Sequence, residues 1–259
     1  LLSAGFDAAI ESPAWLPDGS GLLFLADRQG RVGLWRMALD GSTTQVADSL
    51  ASDLEAYGGG QAFSMSRSGA VAMTRGSPMS PGDLWFTASG EIRATRLTAV
   101  NDDLLAERQV GQVTSFWSTS SKDGLPIQSW VITPPGYTPG KKYPLIVAIH
   151  GGPAAADLLS FNGGYGAQVY AGQGWAVLMP NYRGSTGRGL EFAMASYGDP
   201  AGKEFDDIVD GVDYLIAEGL LSPYRTGDEH ATAAEAMQWR ALGSMLLDKN
   251  PALKSLAAA

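Results

Sequence analysis

From Trp15 to about residue 110, short apolar runs alternate with turn signals. Leu22-Leu23-Phe24-Leu25-Ala26 is followed by Leu34-Trp35-Arg36-Met37, each run of strand length and each bounded by Gly, Asp or Ser. The pattern repeats weakly. Pro17-Asp18-Gly19-Ser20-Gly21 returns as Arg67-Ser68-Gly69, Leu34-Trp35 as Leu84-Trp85, and Asp40-Gly41 as Ser89-Gly90, at offsets near 50 residues. A repeat of that length holding several strands has the size of one β-propeller blade. About two blades are visible, too few to close a ring of at least four.

Near residue 116 the pattern changes. Phe116-Trp117-Ser118 and Ser129-Trp130-Val131-Ile132 read as strands around the turn Lys122-Asp123-Gly124, and Pro134-Pro135-Gly136-Tyr137 ends the second. Leu145-Ile146-Val147-Ala148-Ile149 and Ala176-Val177-Leu178-Met179 are continuous apolar runs of the kind buried on both faces of a parallel sheet. Between them Ala167 to Tyr170 suits a crossover helix, and after them Phe205, Ile208, Val209, Val212, Leu215 and Ile216 share one helical face. Strand, helix, strand, helix predicts a doubly wound α/β unit. A capping box, Thr232-x-x-Glu235, opens a terminal amphipathic helix that Asn250-Pro251 stops.

Composition narrows the function. A formal charge of −9 with no clustered Lys and Arg disfavours nucleic acid and anionic membranes as partners. No apolar run reaches the roughly 18 residues of a spanning helix, and Leu1-Leu2-Ser3-Ala4 lacks the charged start of a signal peptide. The missing initiator Met points to a lost natural N-terminus. With no cysteine and two histidines, neither a disulfide framework nor a zinc site is expected, and a cytoplasmic location is compatible. No metal and no cofactor are expected; a dinucleotide Gly-x-Gly-x-x-Gly after a strand and a Walker sequence are both absent.

Two segments carry the chemistry. Tyr143-Pro144-Leu145-Ile146-Val147-Ala148-Ile149-His150-Gly151-Gly152-Pro153 is a strand ending in a His-Gly-Gly turn, where a backbone N–H can face an oxyanion and a side chain would obstruct the carbonyl. The bland alternative is an ordinary strand ending in a Gly-Gly turn. Met179-Pro180-Asn181-Tyr182-Arg183-Gly184-Ser185-Thr186-Gly187 follows the next strand. With the helix around Asp206-Asp207, these motifs resemble the prolyl oligopeptidase family of serine peptidases, nearest its acylaminoacyl-peptidase and dipeptidyl-peptidase-like branch, over about residues 116 to 223. The resemblance implies a propeller before a hydrolase domain, peptide or acyl-peptide substrates, oxyanion contacts from Gly151 and Gly152, and a motif near the active site comprising His150, Asn181, Arg183 and Ser185. Ser185 is not the family's nucleophile, and Gly184-Ser185-Thr186-Gly187 lacks elbow spacing. Asp206-Asp207 reads as a charge feature of a helix start.

After Leu220-Leu221-Ser222-Pro223 the resemblance fails, for no Gly-x-Ser-x-Gly elbow occurs. If a deletion joined the early half of the domain to its extreme end, His230 would be the triad histidine; the plainer reading is an exposed residue near a helix start. The expectation is therefore a β-propeller fragment (1–112) followed by an incomplete α/β-hydrolase domain with a doubly wound, mostly parallel sheet (113–259), inactive alone for want of a nucleophile. Competing readings are a non-catalytic peptide-binding or interaction scaffold, an esterase of the same superfamily, and a truncated product without function. An uncovered sheet edge would favour a homo-oligomer.

Overall fold

The computed structural model describes residues 1–51, 62–89, 91, 93–151, 155–161, 166–199 and 202–220. Two four-stranded antiparallel sheets come first, each built from consecutive strands. The first comprises β1 (Glu11–Trp15), β2 (Gly21–Arg28), β3 (Arg31–Ala38) and β4 (Thr43–Ala47), and the second β5 (Phe63–Met65), β6 (Val71–Ser77), β7 (Ser80–Thr87) and β8 (Thr95–Arg96). The 50-residue period has a physical counterpart in their turns. Gly19 and Gly69 both adopt left-handed φ, +71° and +83°, and each donates its N–H back three residues, to Leu16 and Ser66. Alternate residues of both sheets, among them Leu23, Leu25, Val32, Leu34, Phe63, Val71 and Met73, bury one shared core. The other face of the first sheet is covered by Phe6, set edge-on against Phe24 at 5.1 Å.

After α1 (Asp102–Glu107) a third sheet begins, with β9 (Gln112–Thr119), β10 (Pro126–Thr133), β11 (Leu145–Val147) and β12 (Ala176–Asn181) in the order β11-β12-β10-β9. Helix α2 (Ala167–Gly172) links β11 to β12, and α3 (Leu190–Met194) and α4 (Lys203–Ala217) follow. β12 is buried along its whole length. Val177 and Met179 face α2 in one cluster, while Ala176 and Leu178 face Val212 and Leu215 of α4 in another. The crossover helix and the long helix thus lie where the periodicity puts them, one on each face.

Two features of the expected sheet are corrected. It is not mostly parallel among the described residues: β9 with β10 and β10 with β12 are antiparallel, and only β11 with β12 is parallel. A tight turn makes β9 and β10 a hairpin, and only the β11–α2–β12 link is long enough to return a strand in the same direction. The run from Leu145 to Ile149 is not buried on both faces either. Among the described residues β11 lies at the sheet edge with its three residues half-buried, and Ile149 is 48% exposed. The terminal helix expected from Thr232 onward lies outside the described residues.

The first and third sheets meet at the β2–β3 turn. Its two central residues, Gln29 and Gly30, have φ of +53° and +75°, which suits a two-residue hairpin. The Gly30 carbonyl accepts from Leu159 N–H at 2.7 Å, and Gln29 N–H donates to the Gly187 carbonyl at 2.8 Å. A Cβ on Gly30 would overlap the indole of Trp130 in β10. Gly30→Ala therefore combines left-handed strain of about 1–2 kcal/mol with overpacking of about 1–3 kcal/mol. Gly19→Ala carries the strain alone, since nothing lies within 4 Å of the added carbon. Urea unfolding of both variants is expected to place Gly30→Ala well below Gly19→Ala; equal midpoints would show that the turn does not bear on Trp130.

Candidate active site

Parallel β11 and β12 end at the same edge of the sheet, so the segments following them are brought together. Open α/β sheets bind ligands at the carboxyl ends of their strands. Beyond β11 the chain runs through Ala148, whose N–H pairs with the Leu178 carbonyl at 2.8 Å, to a buried His150 and an exposed Gly151. Beyond β12 it turns through Tyr182, Arg183 and Gly184 to a fully buried Ser185.

The two segments interlock through His150. Its ring stacks on Tyr182, with centroids 4.6 Å apart and planes inclined by 11°. Tyr182 Oη–H donates to the His150 carbonyl at 2.6 Å, Nε2 lies 2.9 Å from Ser185 Oγ, and Nδ1 lies 3.0 Å from the Gly151 carbonyl. Ser185 O–H donates to the Tyr182 carbonyl at 2.6 Å. Burial is the main cause that lowers the His150 pKa, opposed by the Gly151 carbonyl, so the ring is neutral and carries one N–H. That proton goes either to Ser185 Oγ from Nε2, with Ser185 still donating to Tyr182, or to Gly151 from Nδ1, with Ser185 turned to donate to Nε2. In both arrangements the His150 carbonyl is held by Tyr182, and in the second the Gly151 carbonyl is held by His150 as well. A peptide unit is planar, with N–H opposed to C=O, so fixing the His150 carbonyl aims the Gly151 N–H. A Cβ on Gly151 would meet no described atom within 4 Å.

The Ser185–His150 contact has the length of a nucleophile–base pair. Ser185 has no solvent exposure and sits in a turn after β12 rather than on a strand-to-helix elbow, so its hydroxyl is a structural link.

Asn181 and Arg183 hold the surrounding loops. Asn181 Oδ1 accepts from Asp157 N–H at 2.8 Å and its Nδ2–H donates to the Asp157 carbonyl at 3.2 Å, so one side-chain amide pairs like a neighbouring strand. Trp130 Nε1–H adds a 2.9 Å bond to the same carbonyl. Arg183 donates from Nε and Nη2 to Asp207 at 2.8 Å, from Nη1 to Asp123 at 2.8 Å, and from Nη2 to Ser120 Oγ at 2.9 Å. Hydrogen bonds from Arg183, then Lys203, hold the Asp123 carboxyl well below the usual carboxylate range.

Asp207 is the residue that sequence reasoning misread. It is fully buried as the counter-ion of Arg183 and is not a solvated charge at a helix start; Asp206 alone stays near the surface, 3.4 Å from Lys122. Asp207 is in register with buried Gly211 and Leu215, four and eight residues on, and an acid on the apolar face of a helix was the available signal. Tyr182 and Asp157 were also missed. Gly152, His230 and Ser244 lie outside the described residues. Among the described residues no cluster of three His, Cys, Asp or Glu side chains suits a metal, and no helix is long and apolar enough to cross a membrane.

The chain is similar to known proteins over part or most of its length. The family model described as prolyl oligopeptidase family matches residues 160–227. An uncharacterized peptidase of Bacillus subtilis is 28% identical over 85% of this chain and 32% of its own length. Dipeptidyl-peptidase 5 of Porphyromonas gingivalis is 28% identical over 86% of this chain and 31% of its own. Among solved structures, an acylaminoacyl peptidase bound to Z-Gly-Gly-Phe-chloromethyl ketone superposes with a TM-score of 0.70 at 22% identity, covering 86% of this chain and 33% of that one. The chain thus spans about a third of the length of these relatives.

Removing one partner of a buried, hydrogen-bonded ion pair strands the other, which costs about 3–5 kcal/mol. Asp207→Ala is expected to lose that much. Ser185→Ala, which leaves a neutral ring nitrogen without its partner, is expected to lose about 1–3 kcal/mol. Denaturant titration followed by tryptophan fluorescence checks the order, and a Ser185→Ala loss exceeding that of Asp207→Ala would contradict it.

Proposed function

We propose that the chain belongs to the prolyl oligopeptidase family, which its matches resemble, and that it carries the oxyanion-binding part of a serine-peptidase catalytic domain directed at short peptides or acyl-peptides. The observation that carries this reading is the His150–Tyr182–Ser185 interlock, which fixes the carbonyl whose peptide unit carries the Gly151 N–H, with no described atom within 4 Å of a Cβ at Gly151. In the reaction a serine hydroxyl adds to the scissile carbonyl, and the Gly151 N–H, with that of Gly152, donates to the oxygen as it becomes negative. Asn181 and Arg183 act at a distance by holding the loops that shape this edge. The two meander sheets are read as propeller blades that restrict entry.

The nucleophile would come from a Gly-x-Ser-x-Gly elbow, which this sequence does not contain. We therefore propose that the chain by itself binds peptide without cleaving it, and the absent elbow is also what favours the scaffold reading over the esterase. His230, if it serves at all, would be a base without a partner. A peptide is the expected partner, and the acidic chain is a poor match for nucleic acid. Self-association through the edge of β11 and a cytoplasmic setting are parts of the same proposal.

Treatment of the purified chain with a fluorophosphonate probe, followed by peptide mapping and by assay on dipeptidyl and acyl-aminoacyl amides, is expected to give no labelled serine and no turnover. Label on Ser185, Ser244 or any other serine, together with turnover that the label abolishes, would mean that a nucleophile exists and that the chain is itself a peptidase.

A further inference from the structure

Three ionisable side chains meet where the first sheet touches the third, and the peptidase reading uses none of them. Asp27, at the end of β2, is 8% exposed, and Asp157, in the segment after the His150–Gly151 turn, is 5% exposed. Arg188 comes from the loop after β12 and spends its Nη1 on the Thr186 carbonyl at 2.8 Å and its Nη2 on Gln128 Oε1 at 2.7 Å. Asp27 Oδ2, Asp157 Oδ2 and Arg188 Nε are buried with no hydrogen-bond partner among the described residues. Asp27 Oδ2 also lies against the Cα of Gly187, where a Cβ would strike it.

Charge does not balance in this junction. Two ionised carboxylates and one guanidinium leave a net negative charge where water is scarce, and burying an uncompensated charge is among the costliest acts in folding. The inexpensive remedy is a proton. Asp157 is the group placed to take it, because its backbone is clamped by Asn181 and Trp130 and its buried Oδ2 has no partner among the described residues, whereas Asp27 Oδ1 accepts the Gly30 N–H at 2.9 Å.

We propose that Asp157 is a proton-operated clasp between the β2–β3 turn and the segment that follows the His150–Gly151 turn. With its carboxyl protonated the junction holds one negative and one positive charge, and the Gln29–Gly187 and Gly30–Leu159 hydrogen bonds close over it. With the carboxyl ionised, a second buried carboxylate depends on the single cation Arg188, and the cost of keeping that charge from water loosens those two bonds and releases residues 155–161 from the first sheet. The peptide edge and the propeller-like sheets are thereby joined or uncoupled by pH, with no ligand required.

The surrounding groups set the window. Burial raises the Asp157 carboxyl to about 7, with Arg188 pulling the other way. Burial also raises Asp27, again against Arg188, and pushes Arg188 down to about 10. His150 feels Arg188 as well and has its pKa lowered, mainly by burial. Arg28 and Arg31 flank the turn but are exposed, with Arg28 lying over the Phe6 and Trp35 rings. Because the folded Asp157 keeps a proton that the unfolded chain has lost above the ordinary 3.8, its contribution to stability falls as pH rises from about 4 to about 7 and is constant above. His150 acts oppositely below its ordinary 6.5, since its folded form resists protonation. The difference between wild type and an Asp157 variant removes the His150 contribution.

The test is thermal unfolding of the full chain from pH 5 to pH 8, with hydrogen exchange at the Gln29 and Leu159 amides. Asp157→Asn is expected to melt closer to wild type at pH 5 than at pH 8. At pH 8 the variant should melt higher by about 5 °C or more, and wild type alone should lose protection at both amides. Arg188→Gln removes the cation that helps Asp157 ionise, so its pH-dependent loss should extend to higher pH; this keeps the test decisive if Asp157→Asn does not fold. Parallel melting curves for wild type and Asp157→Asn, an unshifted window in Arg188→Gln, or amide protection that ignores pH would each overturn the proposal.

Discussion

A planar guanidinium can be taken out of water only when its N–H groups are met, and in this protein that requirement organises the third sheet. Arg183 reaches Asp207 on α4, Asp123 and Ser120 in the β9–β10 turn, and is held by its own backbone N–H to Asp207 at 3.1 Å. The planar fork reaches three acceptor side chains on two elements at once, a spread that the point-like ammonium of a lysine does not match. With Arg183 fixed, the segment from Asn181 to Arg188 has one course, along the sheet edge and back toward the first sheet. Ser185 then lies under His150 and Asn181 lies beside Asp157. The candidate site is thus assembled from one buried ion pair outward.

Helices and central strands were legible in the sequence because their apolar periodicity reports burial directly. α2, α4 and β12 fall where the pattern puts them, as do the hairpins marked by Asp-Gly and Ser-Gly turns. Strand direction was not legible. An apolar run looks the same in a parallel or an antiparallel ladder, and β10 shows it: buried on both faces like a parallel strand, it has two antiparallel neighbours. The edge position of β11 was hidden for the same reason, since Leu145 to Val147 are apolar whether or not a strand lies outside them.

The site was legible as motifs and not as roles. His150, Gly151, Asn181, Arg183 and Ser185 were singled out together, and the parallel β11–β12 pair explains why residues some thirty apart act as one group. What spacing cannot say is which polar side chains face inward. Asp207, Asp157 and Asp27 are ordinary surface residues by composition, and only packing turns them into buried charges. Tyr182 passed as a neighbour of the motif although its hydroxyl holds the His150 carbonyl and so orients the His150–Gly151 turn.

The topology also sets an order of assembly. The first two sheets are made of strands adjacent in sequence, closed by short turns, so their contacts form between near neighbours and require little loop closure. The third sheet depends on distant meetings: Gly111 with Gln168 across 57 residues, Ser120 with Arg183 across 63, and Asp7 with the Leu190 amide across 183. On a ribosome the meanders have their partners as soon as they emerge, while the β9–β10 hairpin must wait for β12 with one flank uncovered. Until Arg183 has been synthesised, Ser120 and the β9–β10 turn stand without the side chain that later ties them to the sheet.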